Sequence, residues 1–168
     1  MQLTNAEKLL VLVQASCLPN KRDHFVDVEK VASWVHRGQE WAIHWEYDCF
    51  EPEAHPLDPV VNETESILAM FRRLQSTSDE ELADAGLSRG DVSFKGFDAN
   101  TDAHYHVACV LVDELKRFED VRGATLNSHS IGSLPRYREM LIKFNEACKQ
   151  QPPYSVVLTS QDLKRILE

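Results

Sequence analysis

The chain has 168 residues, 43% of them hydrophobic and 27% charged, a balance that fits one globular domain able to bury a core without disulfide or metal staples. Its net charge of −9 opposes phosphate backbones, so nucleic acid is a disfavoured partner despite local basic pairs such as Arg72-Arg73 and Lys164-Arg165. The longest apolar stretch, Leu9 to Cys17 with Gln14 inside it, is far shorter than the roughly 20 residues of a membrane helix, and the polar start at Gln2, Thr4 and Asn5 is unlike a signal peptide; no membrane association and a cytoplasmic location are expected.

Thr4 and Glu7 have capping-box spacing, and Ala6, Leu9, Leu10 and Val13 then share one face of a helix expected over Asn5–Cys17. Pro19-Asn20 ends it. Phe25, Val28, Val31, Ala32 and Val35 open a second helical pattern, within which Gly38 reads either as a C-terminal cap or as an interior glycine. Trp34, Trp41 and Trp45 fall at i, i+7 and i+11, one face of an unbroken helix, and this favours a continuous or kinked helix from about Asp23 to Tyr47.

Pro52 and Pro56 mark a loop, and Asp58-Pro59 forms a cap and first-turn proline for a helix to about Gln75 with Ile67, Leu68, Phe71 and Leu74 inward. Ser78 and Glu81 frame a second capping box before a short helix that Gly86 stops. Val92–Phe97 reads as extended. Helices are expected over about Thr101–Phe118 and Leu134–Gln150, and Thr159 or Ser160 caps a last one to Leu167. Between them Tyr154–Leu158 is apolar and extended, so a minor two-stranded pairing with Val92–Phe97 is a candidate. The fold class is therefore mainly α, a single multi-helix domain. The four cysteines are scattered without a close pair, as expected of free buried thiols in a reducing compartment.

Three constellations carry chemistry. Arg37 and His44, seven residues apart, have the Arg-x6-His spacing of HEPN-type metal-independent ribonucleases, in which the Arg steadies phosphate charge and the His moves protons. About 10.5 Å of helical rise separates them if one helix carries both. The second constellation is Phe97-Asp98 with Asn127, Ser128, His129 and Arg136, weighed as a polar ligand pocket against a set of helix caps and Asx turns. Arg136-Tyr137-Arg138 offers a cation and an aromatic to a small acidic ligand, though Tyr137 also sits on an apolar helix face. The third is the tryptophan stripe Trp34, Trp41 and Trp45, an interface that makes the chain a homo-oligomer, with another protein partner as the variant reading.

Metal ligands do not converge: His104 and His106 are two apart on a helix and point to different faces, while Asp102 and His106 at i, i+4 suit a surface ion pair better than a metal. No phosphate-binding glycine loop or dinucleotide fingerprint is present, so no cofactor is expected.

Thr4-Asn5-Ala6, Gly96-Phe97-Asp98, Leu126-Asn127-Ser128-His129 and Arg136-Tyr137 occur in this order, and in them the chain resembles the YfbU family of bacterial proteins over nearly its full length. The resemblance implies a largely α-helical fold and transfers no activity. The leading reading is a noncatalytic, self-associating interaction or regulatory module; the alternative is a ribonuclease using Arg37 and His44.

Overall fold

A computed structural model describes residues 3–17, 26–47, 58–121, 125–129, 132–149 and 158–168. The fold is mainly α-helical, and no sheet occurs among the described residues. Backbone packing divides the chain into two compact units, Met1–Leu57 and Asp58–Glu168.

In the first unit α1 spans Asn5–Cys17, α2 Val28–Arg37 and α3 Trp41–Glu46. The expected capping box opens α1: the Glu7 carboxylate accepts the Thr4 N–H at 2.8 Å and the Thr4 hydroxyl accepts the Glu7 N–H at 3.3 Å. The second expected helix is not continuous. Gly38, at φ +71°, ends α2 in the left-handed conformation that glycine adopts without Cβ strain, and its N–H and that of Gln39 close back onto the last turn. The tryptophans therefore do not line one helical face. Trp34, on α2, is fully buried and Trp41, on α3, nearly so, while Trp45 is half-buried and meets Trp41 edge-on at 6.1 Å. Lys30 and Glu46 pair at 2.6 Å and the Tyr47 hydroxyl accepts the Asp27 N–H at 2.9 Å, which fixes α3 against the start of α2.

The second unit is built on α4, Pro59–Gln75. Asp58 caps it through the Val60 N–H, and Ile67, Leu68, Met70, Phe71 and Leu74 give it a fully buried face. Against α4 pack α6, Ala103–Cys109, and α7, Leu134–Lys149, while α8, Ser160–Leu167, lies on α7 and on α5, Asp79–Asp84. Ser78 with Glu81 and Thr159 with Asp162 form complete capping boxes. The helix expected over Thr101–Phe118 is shorter and irregular: α6 widens into a π-helical turn at Val110–Glu114, and Lys116 at φ 57° ends it.

Phe71, Phe94, Phe97 and Tyr137 form an aromatic centre, with ring centroids 4.9 to 5.7 Å apart. The extended segment Val92–Phe97 makes no strand; Phe97 instead forms one isolated parallel bridge to Asn127. Tyr154–Val157 of the anticipated partner strand lie outside the described residues. Of the cysteines, Cys17 is exposed, against the expectation of burial; Cys109 and Cys148 are half-buried, and Cys49 lies outside the described residues.

Candidate functional site

Gly96 is the residue around which the polar motif is arranged. Its φ of +86° suits glycine, and a Cβ there would lie 2.5 Å from the Leu126 carbonyl oxygen, so the two loops touch backbone to backbone. That approach allows the Phe97 N–H to donate to Leu126 O at 2.9 Å and the Ser128 N–H to donate to Phe97 O at 2.8 Å. The Ser133 hydroxyl, just ahead of α7, donates to Gly96 O at 2.7 Å; on α7 the buried Tyr137 hydroxyl donates to the same oxygen at 3.2 Å and accepts the Lys95 N–H at 3.0 Å. Burial pushes the Tyr137 hydroxyl's pKa up, so it remains a donor.

Asp98 is buried, and its carboxylate accepts the Asn100 N–H, the Asn100 side-chain amide and the Thr101 hydroxyl at 3.0, 3.2 and 3.0 Å. Asp102, at the N-cap of α6, returns a carboxylate oxygen to the Asp98 N–H at 3.0 Å, so it is engaged there rather than with His106, which is exposed beside Tyr105. The Asn127 side-chain oxygen accepts the Ala99 N–H at 3.3 Å and the His129 N–H at 2.9 Å, the second closing an Asx turn that places His129 at φ 53° with its ring exposed. Phe97, Asp98, Asn127 and Ser128 are thus brought together through backbone hydrogen bonds.

Arg136 goes elsewhere. Its guanidinium donates to Leu167 O at 3.2 Å, a cation on the C-terminal end of α8. Arg138 is bidentate on Glu63 of α4 at 2.7 and 2.8 Å with about half of its side chain exposed, while the Tyr137 ring between the two arginines is buried.

Glu63 also accepts from His104 Nε2 at 2.6 Å, forming a Glu–His–Arg cluster that sequence reasoning missed. The Arg138 guanidinium, with help from His104, holds the Glu63 carboxyl at about 2, well below its usual 4.5. His104 is 4% exposed and its ring lies over Phe97 at 5.5 Å, while Nδ1 is buried with no hydrogen-bond partner. A histidine acts on an outside substrate through a nitrogen that the substrate can reach, and here one nitrogen is bonded to Glu63 and the other is enclosed. The cluster ties α4, α6 and α7 together.

Arg37 and His44 fall on either side of the Gly38 break. Arg37 is exposed at the end of α2 and donates to Ser33 O at 3.3 Å, and His44 is half-buried on α3, so the common helical face assumed for a phosphate site is absent. No group of three or more His, Cys, Asp or Glu side chains able to hold a metal occurs among the described residues.

A model of the YfbU domain matches residues 1–168, the whole chain. Comparison with curated proteins and with solved structures gives no match. With Gly96-Phe97-Asp98 and Leu126-Asn127-Ser128 hydrogen-bonded to one another at the centre of its larger unit, the chain belongs to the YfbU family.

Proposed function

We propose that this protein is a noncatalytic, self-associating interaction or regulatory module. The reading is carried by a reversal of the usual arrangement at a reactive site. The side chains of Asp98, Asn127 and Arg136 bond to backbone and a helix end, whereas large apolar side chains turn outward on α1, where Leu9, Leu10 and Val13 are 62%, 58% and 50% exposed. Polar groups that complete turns and caps hold loops in register, and exposed contiguous leucines favour association with another surface. Self-association accordingly rests on α1 and no longer on Trp34 and Trp41, whose burial leaves Trp45 as the half-buried member of the set.

Sedimentation equilibrium of the full chain across a hundredfold concentration range tests this. A mass that rises above 19.2 kDa with concentration is expected; a monomer throughout refutes self-association. The ribonuclease alternative has its own assay: RNA cleavage that survives EDTA and disappears in His44→Ala would replace the present reading.

A further inference from the structure

Within the larger unit a cavity of about 210 Å³ lies where α4 gives way to α5, lined among the described residues by Arg73, Ser76, Thr77, Glu81 and Leu158. Three polar groups on its wall are left uncommitted by the fold. Arg72, Arg89, Arg138 and Arg165 of this unit each meet a carboxylate, but half-buried Arg73 reaches only Ser76 Oγ, at 3.5 Å, and forms no ion pair among the described residues. Thr77 is 8% exposed, yet its hydroxyl makes no hydrogen bond among the described residues; its N–H alone is bonded, to Leu74 O. Glu81 uses Oε2 to accept from the Ser78 N–H and hydroxyl at 2.9 and 2.8 Å, which leaves Oε1 open. Buried hydroxyls are bonded in most native structures, so one left open beside a cavity marks a place for an occupant's polar atom.

We propose that this cavity binds a free α-amino acid, whose carboxylate meets Arg73 and the Thr77 hydroxyl and whose ammonium meets Glu81. The site goes beyond the self-association reading and does not depend on it. Charge selects the ligand. The Ser78 N–H and hydroxyl, and after them the Arg73 charge, hold the Glu81 carboxyl below its ordinary range, so the guanidinium acts on a carboxylate that it does not pair with. Opposite charges that face one space without pairing suit a ligand that is neutral overall and carries both signs. A dianion such as phosphate would meet one cation, with Glu81 and the negative end of α4 opposing it. Volume sets the size. At about 30 Å³ per water the space equals about seven waters, below the range of drug-sized sites and suited to a ligand of under about ten non-hydrogen atoms. Leu158, buried just before the cap of α8, supplies the apolar wall and selects an aliphatic side chain.

Isothermal titration of the full chain with L-leucine tests the proposal. Isocaproate, which lacks the ammonium, isoamylamine, which lacks the carboxylate, and inorganic phosphate are the controls. L-leucine should bind, and each control should bind about tenfold more weakly or not at all. Arg73→Gln should weaken L-leucine about tenfold or more, and so should Glu81→Gln, in which glutamine keeps the capping box and removes the charge. Thr77→Val separates binding from folding. Exchanging an unbonded hydroxyl for a methyl should leave urea stability unchanged or slightly higher while weakening L-leucine about threefold or more. Absence of L-leucine binding at millimolar concentration overturns the proposal. Isocaproate or phosphate binding as tightly as L-leucine overturns it too, and makes the cavity an anion site. L-leucine binding that survives both charge variants refutes the assignment to this cavity. A loss of stability in Thr77→Val would show that its hydroxyl has a partner within the fold, and would remove the open group on which the site is built.

Discussion

Gly96→Ala is the sharpest perturbation of the motif, because two separate costs fall on one methyl group. At φ +86° an alanine takes on the left-handed penalty of about 1–2 kcal/mol. Its Cβ would also stand 2.5 Å from Leu126 O and 2.9 Å from the Asn127 carbonyl carbon. That oxygen is held by the Phe97 N–H and the next bridge bond by the Ser128 N–H, so relief of the overlap requires breaking the Phe97–Asn127 pairing, which adds about 2–3 kcal/mol. The sum is about 3–5 kcal/mol, or a fall in Tm of about 10 °C for a chain of this size. Gly86→Ala is the internal control: φ is +68° but nothing lies within 4 Å of its Cβ, so only the backbone cost of about 1–2 kcal/mol applies. Urea denaturation of the two variants reads the difference. Equal losses in both, or a loss under 1 kcal/mol for Gly96→Ala, would refute the argument that the two loops are locked by close backbone approach.

Three further substitutions test neighbouring parts of the account. Tyr137→Phe strips the Lys95 N–H and Gly96 O of a buried partner and should cost about 1–3 kcal/mol in chemical denaturation; no loss would mean that this hydroxyl is dispensable. Glu63 has a folded pKa of about 2 against an ordinary 4.5, so its contribution is present above pH 4.5 and is lost as pH falls toward 2. With half of the Arg138 side chain exposed the contribution is about 1–2 kcal/mol, and Glu63→Gln should lower stability at pH 7 while flattening its decline between pH 4.5 and 2; an unchanged acid limb would count against the pairing. His129 has an exposed ring and φ 53°, so His129→Gly should leave stability unchanged or raise it by up to about 1 kcal/mol, and a loss above 1 kcal/mol would reveal a contact that the geometry does not assign.

The parts of this fold that the sequence announces are those fixed over three or four residues. Thr4 with Glu7, Ser78 with Glu81 and Asp58 before Pro59 all act where spacing alone places them, because a cap needs no distant partner. Gly38 shows where a longer-range inference fails. Tryptophan periodicity argued for one helix, yet Trp34 and Trp41 reach burial from two helices separated by the glycine cap, and periodicity does not distinguish the two arrangements. The π-helical turn at Val110–Glu114 has no local signature, since one extra residue in a turn is settled by what packs around it. Within the motif, the Asx turn at Asn127 and the turn at Asp98 were readable from residue type, but the meeting of Asp98's loop with Asn127 depends on a bond across 28 residues. Glu63, His104 and Arg138 were illegible for the same reason: 41 and 75 residues separate the partners, and each alone is an unremarkable polar residue on a helix.

The claim at the centre of this account is that the side chains of Asp98 and Asn127 hold the fold together and are not poised toward a ligand. The unfolding free energy of Asn127→Ala measures it most directly, since residues held for binding or catalysis commonly leave stability unchanged or improve it when replaced, whereas a loop tie does not. Loss of the Asn127 oxygen strands the Ala99 and His129 N–H groups, and a decrease of about 1–3 kcal/mol is predicted. Unchanged or increased stability would contradict the account and turn attention to Asn127 as a ligand-binding residue.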